Sequence, residues 1–248
     1  MKMNLLEVQG LTKVYAGLTA VSAVDFTVQR GSITALIGPN GAGKTTCFNL
    51  IAGATRCTAG RVRFDGQDIT GLAPEEACER GIARTFQIVR PLTGMSVLEN
   101  VVVGALLRER SVAAAERQAM AVLLRIGLGA KAHASASALA LPERKLLELA
   151  KALATRPRLL MLDEVMAGLR PTEADGIAQV LRDLNADGLT ILLIEHVMRV
   201  VMAVAQTIVV LHHGEKIAEG GPERIANDPL VIECYFGGGV SAAMEPVQ

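Results

Sequence analysis

The most constraining feature of the sequence is the segment 38–45, Gly-Pro-Asn-Gly-Ala-Gly-Lys-Thr, which matches the phosphate-loop pattern G-x-x-x-x-G-K-[ST] in full. A mostly apolar run, residues 32–37, precedes it, and Cys47, Leu50 and Ile51 follow at helical spacing. In a strand, glycine-rich loop and helix that follow one another in this order, the backbone N–H groups of the loop surround one anion. The positive end of the helix dipole also stabilises that anion. A chance glycine-rich turn would lack this context, so the segment predicts a nucleotide-binding α/β core.

Residues of the loop have separate expected roles. The Lys44 ammonium is expected to reach the β- and γ-phosphates of a bound nucleotide, and the Thr45 hydroxyl to ligate Mg²⁺. The motif thus implies ATP and Mg²⁺ as cofactors. The residues predicted to bind the nucleotide here are Gly38, Pro39, Asn40, Gly41, Ala42, Gly43, Lys44, Thr45 and Thr46.

A second motif lies in residues 159–164, where four apolar residues precede Asp163 and Glu164. The run is predicted to be a buried strand, and its carboxyl end is the edge at which open α/β sheets bind ligands. We expect Asp163 to hold Mg²⁺, directly or through water, and Glu164 to polarise the attacking water as a general base. Many strands end in acids at a loop, but the phosphate loop upstream makes this interpretation specific.

Composition excludes several classes of protein. Lys and Arg (25) balance Asp and Glu (25), and aromatics are 3% of the residues, so nucleic acid is not an expected partner. Although 50% of residues are hydrophobic, no uninterrupted apolar run reaches the roughly 18 residues of a membrane span. No apolar secretory segment precedes the first acid, so we expect the chain to stay in the cytoplasm. The four cysteines lack metal-ligand spacing, and no metal beyond nucleotide-bound Mg²⁺ is expected.

The order of the patterns predicts an α/β fold: a P-loop nucleotide-binding core with a mainly parallel sheet, an N-terminal antiparallel β layer and an inserted helical subdomain. Residues 1–87 would form the first part of the core, with short strands, turns and the phosphate loop. Residues 88–155 carry only helical stripes and would form the subdomain. Residues 156–236 alternate strands with helices and complete the core, and 237–248 would be a flexible tail.

With these motifs, the chain resembles the nucleotide-binding subunits of ABC transporters over nearly its whole length. The resemblance implies that Tyr15 stacks on adenine, that Gln87 contacts Mg²⁺ and the transmembrane partner, and that His196, after a strand and an acid, contacts the γ-phosphate. A single Tyr, Gln or His usually has only a structural role. The resemblance to the family depends on the order and spacing of these three residues around the two strong motifs. Glu164 and His196 are therefore the implied catalytic residues, and Thr45, Gln87 and Asp163 the implied Mg²⁺ ligands.

Several stretches resemble the ATPases of branched-chain amino acid importers, among them 81–87, 194–198 and 231–237. Importers of amides or urea share such stretches, so the resemblance implies an ATP-hydrolysing subunit that powers import of branched-chain amino acids or related small polar solutes. It also implies transmembrane permease subunits, a second ATPase subunit in a homo- or heterodimer and, indirectly, a substrate-binding protein. The implied location is peripheral, on the cytoplasmic face of the cell membrane.

Two departures from the family pattern concern the dimer. The signature L-S-G-G-Q is replaced by residues 139–143, Leu-Ala-Leu-Pro-Glu, without the serine or either glycine. In the loop after the two carboxylates, Val165 stands where proline is usual and Arg170 where aspartate or asparagine is common. These changes bear on the composite site between two ATPase subunits and leave the phosphate loop unaffected.

Two alternatives remain at the level of sequence. A soluble P-loop ATPase or small-molecule kinase would leave Tyr15, Gln87 and His196 without a role and would need an arginine-bearing lid. A soluble ABC protein of DNA repair or translation would usually show a basic face, a coiled-coil insertion or tandem cassettes, and none is visible in the sequence.

Overall fold

The computed structural model describes residues 3–85 and 91–236. Its strands are β1 (Asn4–Tyr15), β2 (Leu18–Gln29), β3 (Ile33–Ile37), β4 (Ala59–Phe64), β5 (Gln67–Asp68), β6 (Ile82–Arg84), β7 (Leu159–Asp163), β8 (Thr190–Ile194), β9 (Thr207–His212) and β10 (Glu215–Gly220). Its α-helices are α1 (Lys44–Ile51), α2 (Pro74–Glu79), α3 (Val97–Ala105), α4 (Val112–Arg125), α5 (Leu141–Ala154), α6 (Pro171–Ala186), α7 (Met198–Val204), α8 (Pro222–Ala226) and α9 (Pro229–Phe236). Two single-turn 3₁₀-helices lie between α4 and α5.

The N-terminal layer is a four-stranded antiparallel sheet in the order β2-β1-β4-β5. β1 and β2 alternate buried and exposed residues along much of their length, as expected of a sheet with one solvated face. Their buried side chains pack on α1 and on one face of the second sheet in a shared core. The predicted antiparallel layer is therefore confirmed.

The second sheet has six strands in the order β10-β9-β3-β8-β7-β6. All neighbours pair in parallel except β9 with β10, which form an antiparallel hairpin. β3, β7 and β8 are buried at every residue, which explains their continuous apolar sequences: α1 covers one face and α6 and α7 cover the other. The predicted α/β core with a mainly parallel sheet is confirmed.

The helical insertion packs around a core of its own. α3, α4 and α5 bury a cluster that includes Val101, Ala119, Leu123 and Leu147. Ser96 starts α3 with a reciprocal cap, since its hydroxyl accepts the Glu99 N–H at 3.2 Å and the Glu99 carboxylate accepts the Ser96 N–H at 2.7 Å. This agrees with the predicted helical subdomain.

Some predictions fall on residues that the structure does not describe. The predicted boundary between 87 and 88 lies within residues 86–90, and the predicted tail 237–248 lies beyond residue 236. The limits given for the parts of the chain stay predictions. Within 3–85 and 91–236, no helix is both long and apolar enough to cross a membrane.

Candidate functional site

The phosphate loop connects β3 to α1 and needs glycine at two of its positions for steric reasons. Gly43 adopts a left-handed φ of 98° immediately before α1, and a Cβ there would lie 2.5 Å from the Ala20 carbonyl oxygen. A Cβ on Gly38 would lie 2.1 Å from the Leu211 carbonyl oxygen. Any side chain at either position would push the loop away from the strands that hold it. The glycines therefore set the curvature that turns the amino end of α1 towards the cavity.

Lys44 is the cation of this loop. It is 8% exposed, and its ammonium donates to the carbonyl oxygens of Gly38 (2.7 Å) and Pro39 (3.0 Å). Burial lowers the pKa of Lys44, while the charges of Glu164 and Asp163 act in the opposite direction. A desolvated ammonium at the N-terminus of a helix is well placed to bind an anion.

A cavity of about 600 Å³ opens at the loop. Eight of the predicted site residues line it: Asn40, Gly41, Ala42, Gly43, Lys44, Thr45, Thr46 and Glu164. The β1–β2 end contributes Leu18, Thr19 and Ala20, and the β9–β10 turn contributes His213 and Gly214. His213 is an exposed turn residue that borders this cavity.

Asp163 ends β7 and is 2% exposed. Its carboxylate forms an ion pair with Arg84 at 2.8 Å, and Arg84 also donates to the Asn49 side chain at 2.6 Å. Sequence reasoning missed Arg84. The available signal was its position at the end of β6, which pairs in parallel with β7 and so brings both carboxyl ends to one edge.

Glu164 and His196, the two predicted catalytic residues, lie together. The His196 Nδ1 is 4.0 Å from the Glu164 carboxylate, and their side chains are 58% and 22% exposed. They follow β7 and β8, which are neighbours in the sheet, and the Glu164 N–H donates to the Ile194 carbonyl at 3.0 Å. The arrangement can hold a water molecule next to a carboxylate base and a polarising imidazole.

Tyr15 lies at the end of β1, 42% exposed, with the Lys13 ammonium 4.8 Å from its ring centroid. It does not itself line the cavity, but Leu18, its pairing partner on β2, does. Gln87 lies outside the described residues. The roles predicted for Tyr15 and Gln87 stay predictions.

The donor set fits Mg²⁺. Thr45 offers a hydroxyl on the cavity wall, Asp163 a carboxylate and the predicted Gln87 an amide oxygen, and hard oxygen ligands are those Mg²⁺ prefers. Mg²⁺ usually keeps several of its waters, so Asp163 could hold it through water while its ion pair with Arg84 persists.

A second cleft, of about 520 Å³, lies at the opposite edge of the sheet, beside the amino ends of β7 and β8. Four arginines line it, and each already pairs with an acid. It contains none of the motif residues. The chemistry predicted from the sequence is therefore concentrated at the first cavity.

The structure combines a phosphate loop after β3, two acids at the carboxyl end of β7 in the same sheet, and an inserted helical subdomain. This combination places the chain among the P-loop ATPases of the ATP-binding cassette class. Comparison with known families agrees. A family model described as "ABC transporter" matches residues 21–167, and one described as "Branched-chain amino acid ATP-binding cassette transporter" matches residues 215–241.

Two relatives span nearly the whole chain. The high-affinity branched-chain amino acid transport ATP-binding protein BraF of Pseudomonas aeruginosa is 39% identical, over 96% of this chain and 99% of the relative. LivG of Escherichia coli K12, which carries the same description, is 39% identical over the same shares. The chain belongs to the ABC transporter family, as one of its ATP-binding and ATP-hydrolysing subunits. This assignment excludes the small-molecule kinase alternative.

Solved structures give the same answer for the fold. A nucleotide-free ATP-binding cassette from an ABC transporter superposes with a TM-score of 0.87 at 34% identity, covering 95% of this chain and 100% of the other. The ADP conformation of another ABC transporter cassette gives a TM-score of 0.87 at 33% identity, covering 95% and 99%. The chain therefore has the fold of an ABC transporter cassette, and one of these two similar cassettes was solved with ADP.

Replacing Lys44 with Ala should abolish tight ATP binding, because the γ-phosphate would lose the cation that the loop provides. A titration with a fluorescent ATP analogue measures this directly. Lys216→Ala, at an exposed position of the edge strand β10, is the control that keeps affinity. If Lys44→Ala bound ATP as tightly as the unaltered chain, the role given to this lysine would be wrong.

Proposed function

We propose that this chain powers the import of branched-chain amino acids. The observation that carries the ATPase half of the proposal is the shared cavity, which is lined both by Lys44 of the phosphate loop and by Glu164, the residue after β7. The substrate class is supported by the two relatives described above and by the match of residues 215–241, a C-terminal segment, to a branched-chain family model.

Each residue has a part in hydrolysis under this proposal. Lys44 and the loop N–H groups of residues 40–46 bind the phosphates, and Tyr15 stacks on the adenine. Glu164 takes the proton of the attacking water, and His196, 4.0 Å from it, contacts the γ-phosphate. Thr45, Asp163 and Gln87 would hold Mg²⁺, which supplies positive charge to the phosphates when bound.

The chain acts within an assembly. Membrane permease subunits carry the solute, a second ATPase subunit completes the pair, and a substrate-binding protein delivers the solute from outside. The pair sits on the cytoplasmic face of the membrane, and Gln87 with the helical subdomain faces the permease. Three observations support this: the similarity to named transport ATP-binding proteins, the existence of dimeric cassette structures of similar fold, and the helical insertion itself.

The altered signature has a definite geometry. α5 begins after Ala140 with Pro142 in its first turn, and the Ala140 N–H donates to the Glu143 carboxylate at 3.0 Å. Ala140 has no hydroxyl, Pro142 has no N–H, and Glu143 places a negative charge at the helix start. The exposed helix end can still face a partner's phosphate, but with fewer donors than serine and two glycines would supply.

The replacement Glu164→Gln should leave ATP binding intact and abolish turnover, because glutamine keeps the shape and hydrogen bonding but cannot accept the proton. Phosphate release and nucleotide affinity are measured on the same preparation. Near-normal turnover in this variant would refute the role of Glu164, whereas loss of binding would show that the residue acts on affinity.

Deleting the gene for this chain should abolish high-affinity uptake of radiolabelled leucine, isoleucine and valine by cells. Uptake should return with the unaltered chain and fail to return with Glu164→Gln. Uptake of an unrelated solute, such as a sugar, is the internal control. If branched-chain uptake persisted while uptake of an amide or urea was lost, the ATPase assignment would stand and the substrate class would be wrong.

The altered signature predicts an asymmetric pair with slow ATPase activity in the isolated chain. One lost hydrogen bond to a charged group weakens an equilibrium by about 10- to 150-fold, so a homodimer would have two weakened sites. A partner with an intact signature would complete one site on this chain's own Lys44, Glu164 and His196. Turnover is measured with and without the partner ATPase and membrane subunits, beside Ala140→Ser. Full activity of the isolated chain, with no gain from the partner, would contradict the asymmetry.

A further inference from the structure

Lys145 lies in the second turn of α5 and is buried, although it belongs to none of the motifs found in the sequence. It is 6% exposed, and lysines are rarely buried that far without a partner. Its ammonium donates to the Glu164 backbone carbonyl at 3.2 Å. A side chain of the helical subdomain therefore reaches the residue that follows β7, in the same chain.

The backbone of Glu164 needs such support. Its φ of 50° is left-handed, a conformation that non-glycine residues seldom adopt unless their surroundings impose it. Hydrogen bonds hold this backbone: the Glu164 N–H donates to the Ile194 carbonyl, and the Glu164 carbonyl accepts the Ala167 N–H at 3.2 Å as well as the Lys145 ammonium. The first two bonds lie within the parallel sheet and the loop after β7, and the third comes from α5 in the helical subdomain.

The charge of Lys145 also matches its surroundings. Burial lowers the pKa of Lys145. The negative charges of Glu195, Glu164 and Asp163 raise it, with Glu195 having the largest of these three effects. Glu195, at the end of β8, is 1% exposed, accepts the Met166 N–H at 2.9 Å, and has its second carboxylate oxygen buried without a hydrogen-bond partner among the described residues. The buried ammonium thus lies within electrostatic range of the acids at the ends of two adjacent strands, β7 and β8.

We propose that Lys145 is a positioning residue for ATP hydrolysis: it ties α5 to the Glu164 backbone and so aims the Glu164 carboxylate into the nucleotide cavity. This rests on the proposed role of Glu164 as the base. Lys145 acts through Glu164, because among the described residues Glu164 lines the cavity and Lys145 does not. A movement of the helical subdomain would then change the position of the base directly.

The test measures kcat, KM for ATP and nucleotide affinity in the full-length chain assembled with its membrane subunits. Lys145→Met should lower kcat by about 10- to 150-fold, the range for one lost bond to a charged group, with KM and affinity within about twofold. Lys145→Arg, which keeps the charge and the donor, should restore most of kcat. Lys151→Met removes a lysine of the same helix that pairs with Glu148, and it should leave kcat unchanged.

Three outcomes would overturn the proposal: normal kcat in Lys145→Met, a rise in KM without loss of kcat, or a loss in Lys145→Arg as large as in Lys145→Met. If Lys145→Met does not fold, as shown by thermal unfolding, Lys145→Gln is measured in its place by the same criteria.

The variant Glu164→Gln separates this inference from the function on which it rests. If Glu164→Gln still hydrolysed ATP, the role of Glu164 as the base would be refuted. If Glu164→Gln were inactive while Lys145→Met kept a normal kcat, only the positioning role of Lys145 would be refuted.

Discussion

The site depends on the parallel hydrogen-bond ladder between β3, β8 and β7. Ile194 on β8 pairs with Leu36 on one side and with Asp163 on the other. Parallel pairing places the carboxyl ends of all three strands at one edge, so the residues that follow them must meet there. The phosphate loop follows β3 and Glu164 follows β7, which is why groups far apart in sequence share one cavity. His196 follows β8 and lies beside Glu164 for the same reason.

Concentrating acids at this edge creates an electrostatic cost that the fold offsets with cations from other elements. Asp163 is nearly fully buried and pairs with Arg84 of β6, and Glu195 is buried close to Lys145 of α5. A buried charge without a partner is strongly destabilising, so the Asp163–Arg84 ion pair serves stability as well as geometry. The core and the helical subdomain are joined at this edge by the hydrogen bond from the Lys145 ammonium to the Glu164 carbonyl, and not only by apolar packing.

The sequence could predict what local patterns encode. The phosphate loop, the apolar run before Asp163 and the helical stripes of the insertion all depend on residues near one another in the chain, and the fold they predict is the fold observed. Arg84 and Lys145 were missed because their roles arise from tertiary proximity. The sheet order brings Arg84 of β6 to the Asp163 carboxylate of β7, and the packing of α5 brings Lys145 to the Glu164 carbonyl just after β7.

α5 carries two features whose connection the sequence did not reveal: the altered signature at its start and the buried Lys145 in its second turn. At its start, Ala140 lacks a hydroxyl and Pro142 lacks an N–H, which under the proposed function reduces the donors available to a partner's nucleotide. One turn further on, Lys145 donates to the carbonyl of its own chain's Glu164. Both features lie on one continuous helix, so a movement of the helix start towards a partner would also move the support of Glu164. Under the two proposals, a cassette can bind its partner's ATP weakly and still need this helix for its own hydrolysis, as expected of a subunit whose active site is completed by a different chain.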